Sequence, residues 1–158
     1  MGEREERTVT ASRVEFLDRA LALYAVPYIW GGKSERGVDC SGLVTVALFG
    51  AGGEDWRFTY SSEVMREKLP VTLSPRQGDL VLYGQKATAT EPEKASHVMI
   101  LLSDVEGGDA VLLGACGGGP KVTNHAEANR AGARVKRKRL AKYRTDEVLG
   151  FRRLPFAA

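Results

Sequence analysis

Val98-Met99-Ile100-Leu101-Leu102 is an unbroken apolar run, and the polar pair Ser96-His97 stands directly before it. A run this short, with neither helical nor alternating spacing, reads as a strand covered on both faces. Its neighbours have the same character. Leu80-Val81-Leu82-Tyr83 precedes it and Ala110 to Ala115 follows it, with Gly107-Gly108-Asp109 as a hairpin signal before the latter. Val135 to Leu140 and Val148 to Leu154 add two more strands, and the stretch 85–95, rich in Thr, Ala, Glu and Lys, reads as a polar surface loop.

Ahead of the strands the spacing turns helical. Val14, Leu17, Leu21 and Tyr24 form one apolar stripe and predict a helix from about Ser12 to Ala25. Thr10 or Ser12 caps it, Glu15 lies in its first turn and Pro27 stops it. A second helix opens at Cys40 or Ser41 and ends at Gly50, Gly52 and Gly53. A third runs from Ser62 to Lys68, with Ser61 as cap and Pro70 as terminator. Helices first and strands afterwards predict an α+β domain, its helices packed on an antiparallel sheet of about five strands. Residues 1–9 read as a flexible, solvated tail and residues 10–158 as a single domain.

At 158 residues the chain suits one domain with a workable core. With 43% hydrophobic and 27% charged residues, wholesale disorder is excluded. Two cysteines and two histidines are too few for a disulfide framework and a poor set for structural zinc, so no metal or cofactor is expected. No apolar run reaches the roughly 18 residues of a membrane span. The net charge of +3 is mild, but the cations crowd between Arg130 and Arg153.

Val38-Asp39-Cys40-Ser41-Gly42-Leu43-Val44 places a cysteine where a loop becomes a helix. Free amides and the helix dipole at that end favour the thiolate. The same amides can hold a developing oxyanion. A nucleophilic cysteine needs a base, and the candidates are His97 and His125. His97 sits at the mouth of a buried strand. His125 lies in the polar stretch Thr123-Asn124-His125-Ala126-Glu127 and reads as a solvated loop residue. The plain alternative is a small buried cysteine and a structural histidine.

Pro27-Tyr28-Ile29-Trp30-Gly31-Gly32 followed by Asp39-Cys40-Ser41-Gly42-Leu43 resembles the signature of the NlpC/P60 cysteine peptidases. Gln77-Gly78-Asp79-Leu80-Val81 is similar to the family's Pro-Gly-Asp-Leu strand, Ser96-His97-Val98-Met99-Ile100 to its Ser-His-Val-Gly-Ile strand, and Ala115-Cys116-Gly117-Gly118-Gly119 to the segment after its third catalytic strand. The resemblance covers roughly residues 12–154. It implies a papain-like α+β fold and hydrolysis of bacterial cell-wall stem peptides, usually between D-γ-glutamate and a diamino acid. It implies Cys40 as nucleophile, His97 as base and Tyr28 as a site-lining residue that helps with the oxyanion. Asp39 and Ser41 match positions that contact the stem peptide, Asp39 at a free amine. Ser96 and Trp30 join them at the substrate site, with Trp30 packed under the active-site loop. The family's third polar residue, which orients the base, falls at Gly114, which has no side chain. A backbone carbonyl, a water or another residue takes that role; His125 is one candidate.

Cys116 reads as a small residue at a strand end, the alternative being a redox partner of Cys40. The basic stretch Arg134–Arg139 reads as a solvated strand face, or as a surface for anionic cell-wall polymers; without interleaved aromatics it does not suit nucleic acid. Trp56, Phe58 and Tyr60 suit a groove rim and core packing equally. Three functions remain open: a peptidoglycan peptidase, a non-catalytic wall-binding or structural module motivated by Gly114, and an amidase or acyltransferase acting on another substrate. The short length and basic end are also similar to stand-alone peptidases of phage tails, which would make tail proteins partners. Met1-Gly2-Glu3-Arg4-Glu5-Glu6-Arg7 lacks an apolar h-region. The expectation is synthesis in the cytoplasm with action at the wall, or a secreted protein whose leader has been removed.

Overall fold

The computed structural model describes residues 11–157. The stretch 1–9 and the candidate cap Thr10 lie outside them.

Helix α1 (Arg13–Ala22) is capped by Ser12, whose Oγ accepts the Glu15 N–H at 3.1 Å. Its buried residues are Phe16, Leu17 and Ala20, whereas Val14 is 64% exposed and Leu21 and Tyr24 also face out. The apolar stripe is therefore rotated from the expected one. Phe16 packs on Phe156 at 5.4 Å, which fixes the face that turns inward. The helix also ends before Ala25, because the Ala25 N–H leaves it to bond the Val135 carbonyl and the residue adopts φ +68°.

A small hairpin, β1 (Lys33–Ser34) and β2 (Gly37–Val38), leads into α2 (Cys40–Gly50). This helix is apolar on almost every side, as befits an element buried between others. Then come α3 (Ser62–Lys68), β3 (Leu80–Gln85), β4 (Lys94–Leu101), β5 (Val111–Cys116), α4 (His125–Ala131), β6 (Arg134–Arg139) and β7 (Val148–Arg152). The five long strands form one antiparallel sheet in the order β6-β5-β4-β3-β7. The fold is α+β, as the order of segments predicts.

Helix α4 falls where the sequence suggests a polar loop. It contributes only Ala128 to the buried set, so no apolar stripe announces it. Its ends carry it instead. Asn124 caps the start by accepting the Glu127 N–H, and Gly132 closes the end in the left-handed region.

The sheet has a core on each face, which explains the unbroken apolar run in β4. Leu80, Leu82, Val98, Ile100, Leu113 and Ala115 meet Leu43, Val44, Ala47 and Leu48 of α2. Val81, Tyr83, Met99, Leu101, Leu112 and Cys116 face the other way, covered by Leu140, Tyr143, Val148 and Phe151. Asp79, just before β3, ties the chain ends to the sheet. Its fully buried carboxylate accepts Arg153 Nε at 3.0 Å and Nη2 at 2.8 Å, and the Arg76 N–H at 2.9 Å, with Arg13 beside it.

One irregularity matters for the site. Strand β4 pairs with β3 at six positions, from Leu80↔Ile100 to Gln85↔Lys94, but with β5 only at Ile100↔Leu113 and Leu101↔Leu112. Beyond those pairs β4 and β5 part, and the first half of β4 loses its partner on that side.

Candidate active site

The N-terminus of α2 meets that parting. Asp39 is the N-cap, and its Oδ1 accepts the Gly42 N–H at 2.6 Å. Cys40 is thereby the first helical residue, on a turn whose leading amides have no intrahelical acceptor. Gly42 is required there, because a β-carbon on it would collide with the Gly32 carbonyl oxygen. The backbone amides of Val98 and Ser41 lie near enough to the Cys40 sulfur to favour its charged form. The Val98 amide belongs to the part of β4 that β5 leaves uncovered, and Val98 is the residue after His97.

The base comes from the opposite side. His97 belongs to the face of β4 turned away from α2. Its ring lies 5.7 Å from that of Tyr83 and 5.8 Å from that of Tyr143. Its Nε2 is 3.0 Å from the Tyr143 hydroxyl. Cys40 packs with the core under α2, whereas the aromatic neighbours of His97 belong to the core on the far face of the sheet.

Burial disfavours the charged form of both groups. Enclosure of the sulfur and then the Asp39 carboxylate push the Cys40 thiol up to about 11; the Val98 and Ser41 amides and Lys33 pull the other way but do not win. Burial, with help from Arg144, pushes His97 down to about 3. Enclosure thus opposes the thiolate that the helix N-terminus favours. The helix end favours negative charge by about 1 kcal/mol, and desolvation next to a carboxylate outweighs it. The Tyr28 phenol is raised by burial and by the nearby Cys40 and Asp39, so it stays a neutral donor. The backbone of Gly118 lies against its ring, too close for any side chain at that position.

The cleft beside Cys40 has a volume of about 390 Å³. Tyr28, Trp30, Asp39, Ser41 and Ser96 all line it, together with Lys33, Arg57, Phe58 and Tyr60. Trp30 does not pack beneath the loop: it is 53% exposed and forms part of the wall. Trp56 stacks on Tyr60 at 4.0 Å and supports the rim from behind. Asp39 already has a cation, since Lys33 Nζ stands 3.3 Å from its Oδ1, and Ser41 Oγ donates to the same oxygen at 3.2 Å. A larger hollow of about 470 Å³, lined by Gln77, Asp104, Glu106 and Arg139 among others, contains neither cysteine nor histidine.

His125 does not reach the base. It opens α4, and its Nε2 lies 2.8 Å from the Arg36 carbonyl oxygen on the β1–β2 turn. The residue bonded to His97 is Tyr143. The sequence does hold one hint of this. The family motif has Gly where this chain has Met99, and Gly114 offers no side chain, so the partner of His97 must come from outside β5. Gly114 is small because Met99 fills the space where its β-carbon would go. Cys116 is buried and unbridged; its sulfur lies 3.7 Å from the Tyr143 hydroxyl. The Tyr83 hydroxyl is buried without a partner among the described residues. Also among the described residues, no group of three or more His, Cys, Asp or Glu could hold a metal, and no helix is long and apolar enough to cross a membrane.

Comparison with known proteins bears on the family and the fold. The family model of the NlpC/P60 family matches residues 25–151. The peptidoglycan endopeptidase RipB of Mycobacterium tuberculosis is 33% identical over 118 residues, covering 66% of this chain and 44% of RipB. The chain thus spans less than half the length of that relative. Among solved structures, a lipoprotein-like NLP/P60 family protein from Staphylococcus aureus superposes with a TM-score of 0.61 at 23% identity, covering 99% of this chain and 44% of that one. The NlpC/p60 domain of the peptidoglycan hydrolase SagA gives a TM-score of 0.56 at 22% identity, covering 84% of this chain and 92% of that domain.

Proposed function

The chain belongs to the NlpC/P60 family, and from that we propose that it is a cysteine peptidase that hydrolyses peptide bonds in bacterial peptidoglycan stem peptides. The bond we assign is the one between D-γ-glutamate and the following diamino acid. The observation that supports this reading is the position of Cys40 at the capped N-terminus of α2, lining an open cleft.

The chemistry begins from a neutral pair. As the substrate carbonyl settles against Cys40, the thiol proton passes to His97 and the sulfur forms a bond to the carbonyl carbon. Moving the proton during attack avoids holding an ion pair in a site that raises the thiol and lowers the imidazole. The carbonyl electrons move to oxygen, where the Cys40 amide and the Tyr28 hydroxyl donate to the oxyanion. His97 returns its proton to the leaving amine as the C–N bond breaks, leaving a thioester. Water then adds to the thioester, with His97 taking its proton, and the carboxylic acid leaves as Cys40 regains its hydrogen. Trp30, Phe58 and Tyr60 supply apolar walls for the stem peptide, and Lys33 and Arg57 attract its carboxylates.

The binding-only reading arose from the missing side chain at Gly114. Tyr143 beside His97 offers the ring a partner that Gly114 does not, which favours the peptidase reading. The test is mass spectrometry of purified muropeptides digested with the protein and with Cys40→Ala. A fragment pair produced only with the intact cysteine is expected, and its masses identify the bond. Equal digests from both proteins across several wall chemistries would overturn the proposal.

A further inference from the structure

Tyr143 and Cys116 lie on the face of the sheet away from α2, behind His97, and no step of the reaction above uses them. Their contacts form a chain. Cys116 Sγ is 3.5 Å from the Gly114 carbonyl oxygen and 3.7 Å from Met99 Sδ. It is also 3.7 Å from the Tyr143 hydroxyl, which is 3.0 Å from His97 Nε2. The donor and acceptor inventory of these groups is limited. A carbonyl oxygen and a thioether only accept, so the Cys116 S–H is directed at one of them. The lone pairs of its sulfur are then left to accept. A tyrosine hydroxyl has one proton and accepts on its oxygen.

We propose that Tyr143 and Cys116 are positioning residues that set the tautomer of His97: the Tyr143 hydroxyl donates to Cys116, its oxygen accepts the proton on His97 Nε2, and Nδ1 is left bare. This rests on the reading of His97 as the base, because a bare Nδ1 is the nitrogen that receives the Cys40 proton. The opposite arrangement, with the hydroxyl donating to Nε2, forces the ring proton onto Nδ1. A neutral imidazole in that form has no lone pair to offer at Nδ1, and a base held in the wrong tautomer is largely disabled.

The packing around the chain holds it in place. Met99 occupies the space beside Gly114, so nothing from β5 competes for Nε2. The Tyr83 ring meets the Tyr143 ring edge-on at 5.4 Å and fixes its plane. Lys138 and Arg144 stand 5.5 Å and 5.4 Å from the centre of the Tyr143 ring and hold it against the far face of the sheet.

The test reads the tautomer directly. Nitrogen-15 NMR of the full chain is recorded at neutral pH, with His125→Asn leaving His97 as its sole imidazole. The expected result is a protonated Nε2 and a bare Nδ1. Tyr143→Phe keeps the ring and removes the hydroxyl; it should mix or invert the tautomers and lower kcat on muropeptides by about ten- to a hundredfold with KM little changed. Cys116→Ala should move both readouts the same way by less, and Cys116→Ser, whose hydroxyl still accepts, should restore them. A wild-type proton on Nδ1 overturns the proposal, as does a Tyr143→Phe protein with unchanged tautomer and kcat. If Tyr143→Phe does not fold, the Cys116 pair decides by the same readouts. If the wild type cleaves no muropeptide, the NMR result still decides this inference, and the peptidase reading falls separately.

Discussion

The sulfur of Met99 fills the volume that a β-carbon on Gly114 would occupy. The two positions have exchanged bulk relative to the family pattern, which has Gly in the first and a polar side chain in the second. Gly114→Ala is therefore expected to destabilise the protein by about 2 kcal/mol through overpacking. Met99→Ala opens that space, so the double variant should lose less than the two single losses added together. Urea unfolding of the four proteins measures this coupling; strict additivity would show that the two sites do not compete for the same volume.

The Cys40 thiol, held near 11, should alkylate slowly in the free enzyme at pH 7. Iodoacetamide trapping with mass analysis of the Cys40 peptide should show a rate that climbs from pH 8 to beyond pH 10. A rate already at plateau at pH 6 would mean that a thiolate–imidazolium pair is the resting state.

Acid should weaken the fold through His97. Its folded pKa, near 3, lies below the ordinary value of 6.5, so between those limits the unfolded chain binds a proton that the native state refuses. Stability from this group is present above pH 6.5 and is lost as the pH falls towards 3. Linkage puts the loss at about 2 kcal/mol between pH 8 and pH 5. Urea midpoints at the two pH values, compared with His97→Ala, check it. The variant should have a flatter pH dependence over that range, and an unchanged slope would place the acid sensitivity elsewhere.

Asp79 makes no contact with the cleft, yet Asp79→Ala should be among the costlier substitutions. It would strip Arg153 of both carboxylate oxygens and leave the Arg76 amide without its acceptor. Losing one side of a buried, hydrogen-bonded charge pair costs about 3 kcal/mol. Thermal unfolding should show a clear fall in Tm, while kcat in the remaining folded protein stays near the wild-type value.

The five strands of the main sheet and three of the helices were legible because each carries a local signal: an apolar run, a cap, a proline or a glycine cluster; the β1–β2 hairpin, two residues a side, carries none. Cys40 and His97 stood out for the same reason, each at the junction of a polar loop with an apolar element. What was hidden depends on tertiary contacts. The inward face of α1 is set by Phe156, which lies at the other end of the chain. Helix α4 is held by its caps and has no stripe. The neutral state of Cys40 follows from enclosure and the Asp39 charge, and no spacing reveals how deeply a sulfur sits. Tyr143 lies 46 residues beyond its partner in a segment with no motif.

The nucleophile and its base depend on different cores. Cys40 packs with the residues under α2, and Tyr83, Tyr143 and Cys116, which surround His97, pack on the far side of the sheet. A chain with one core formed has a thiol without a base, or a base without a thiol. For the proposed peptidase, hydrolytic competence is therefore the last property to appear on folding and the first to vanish on partial melting, and turnover would serve as an assay for the intact sheet.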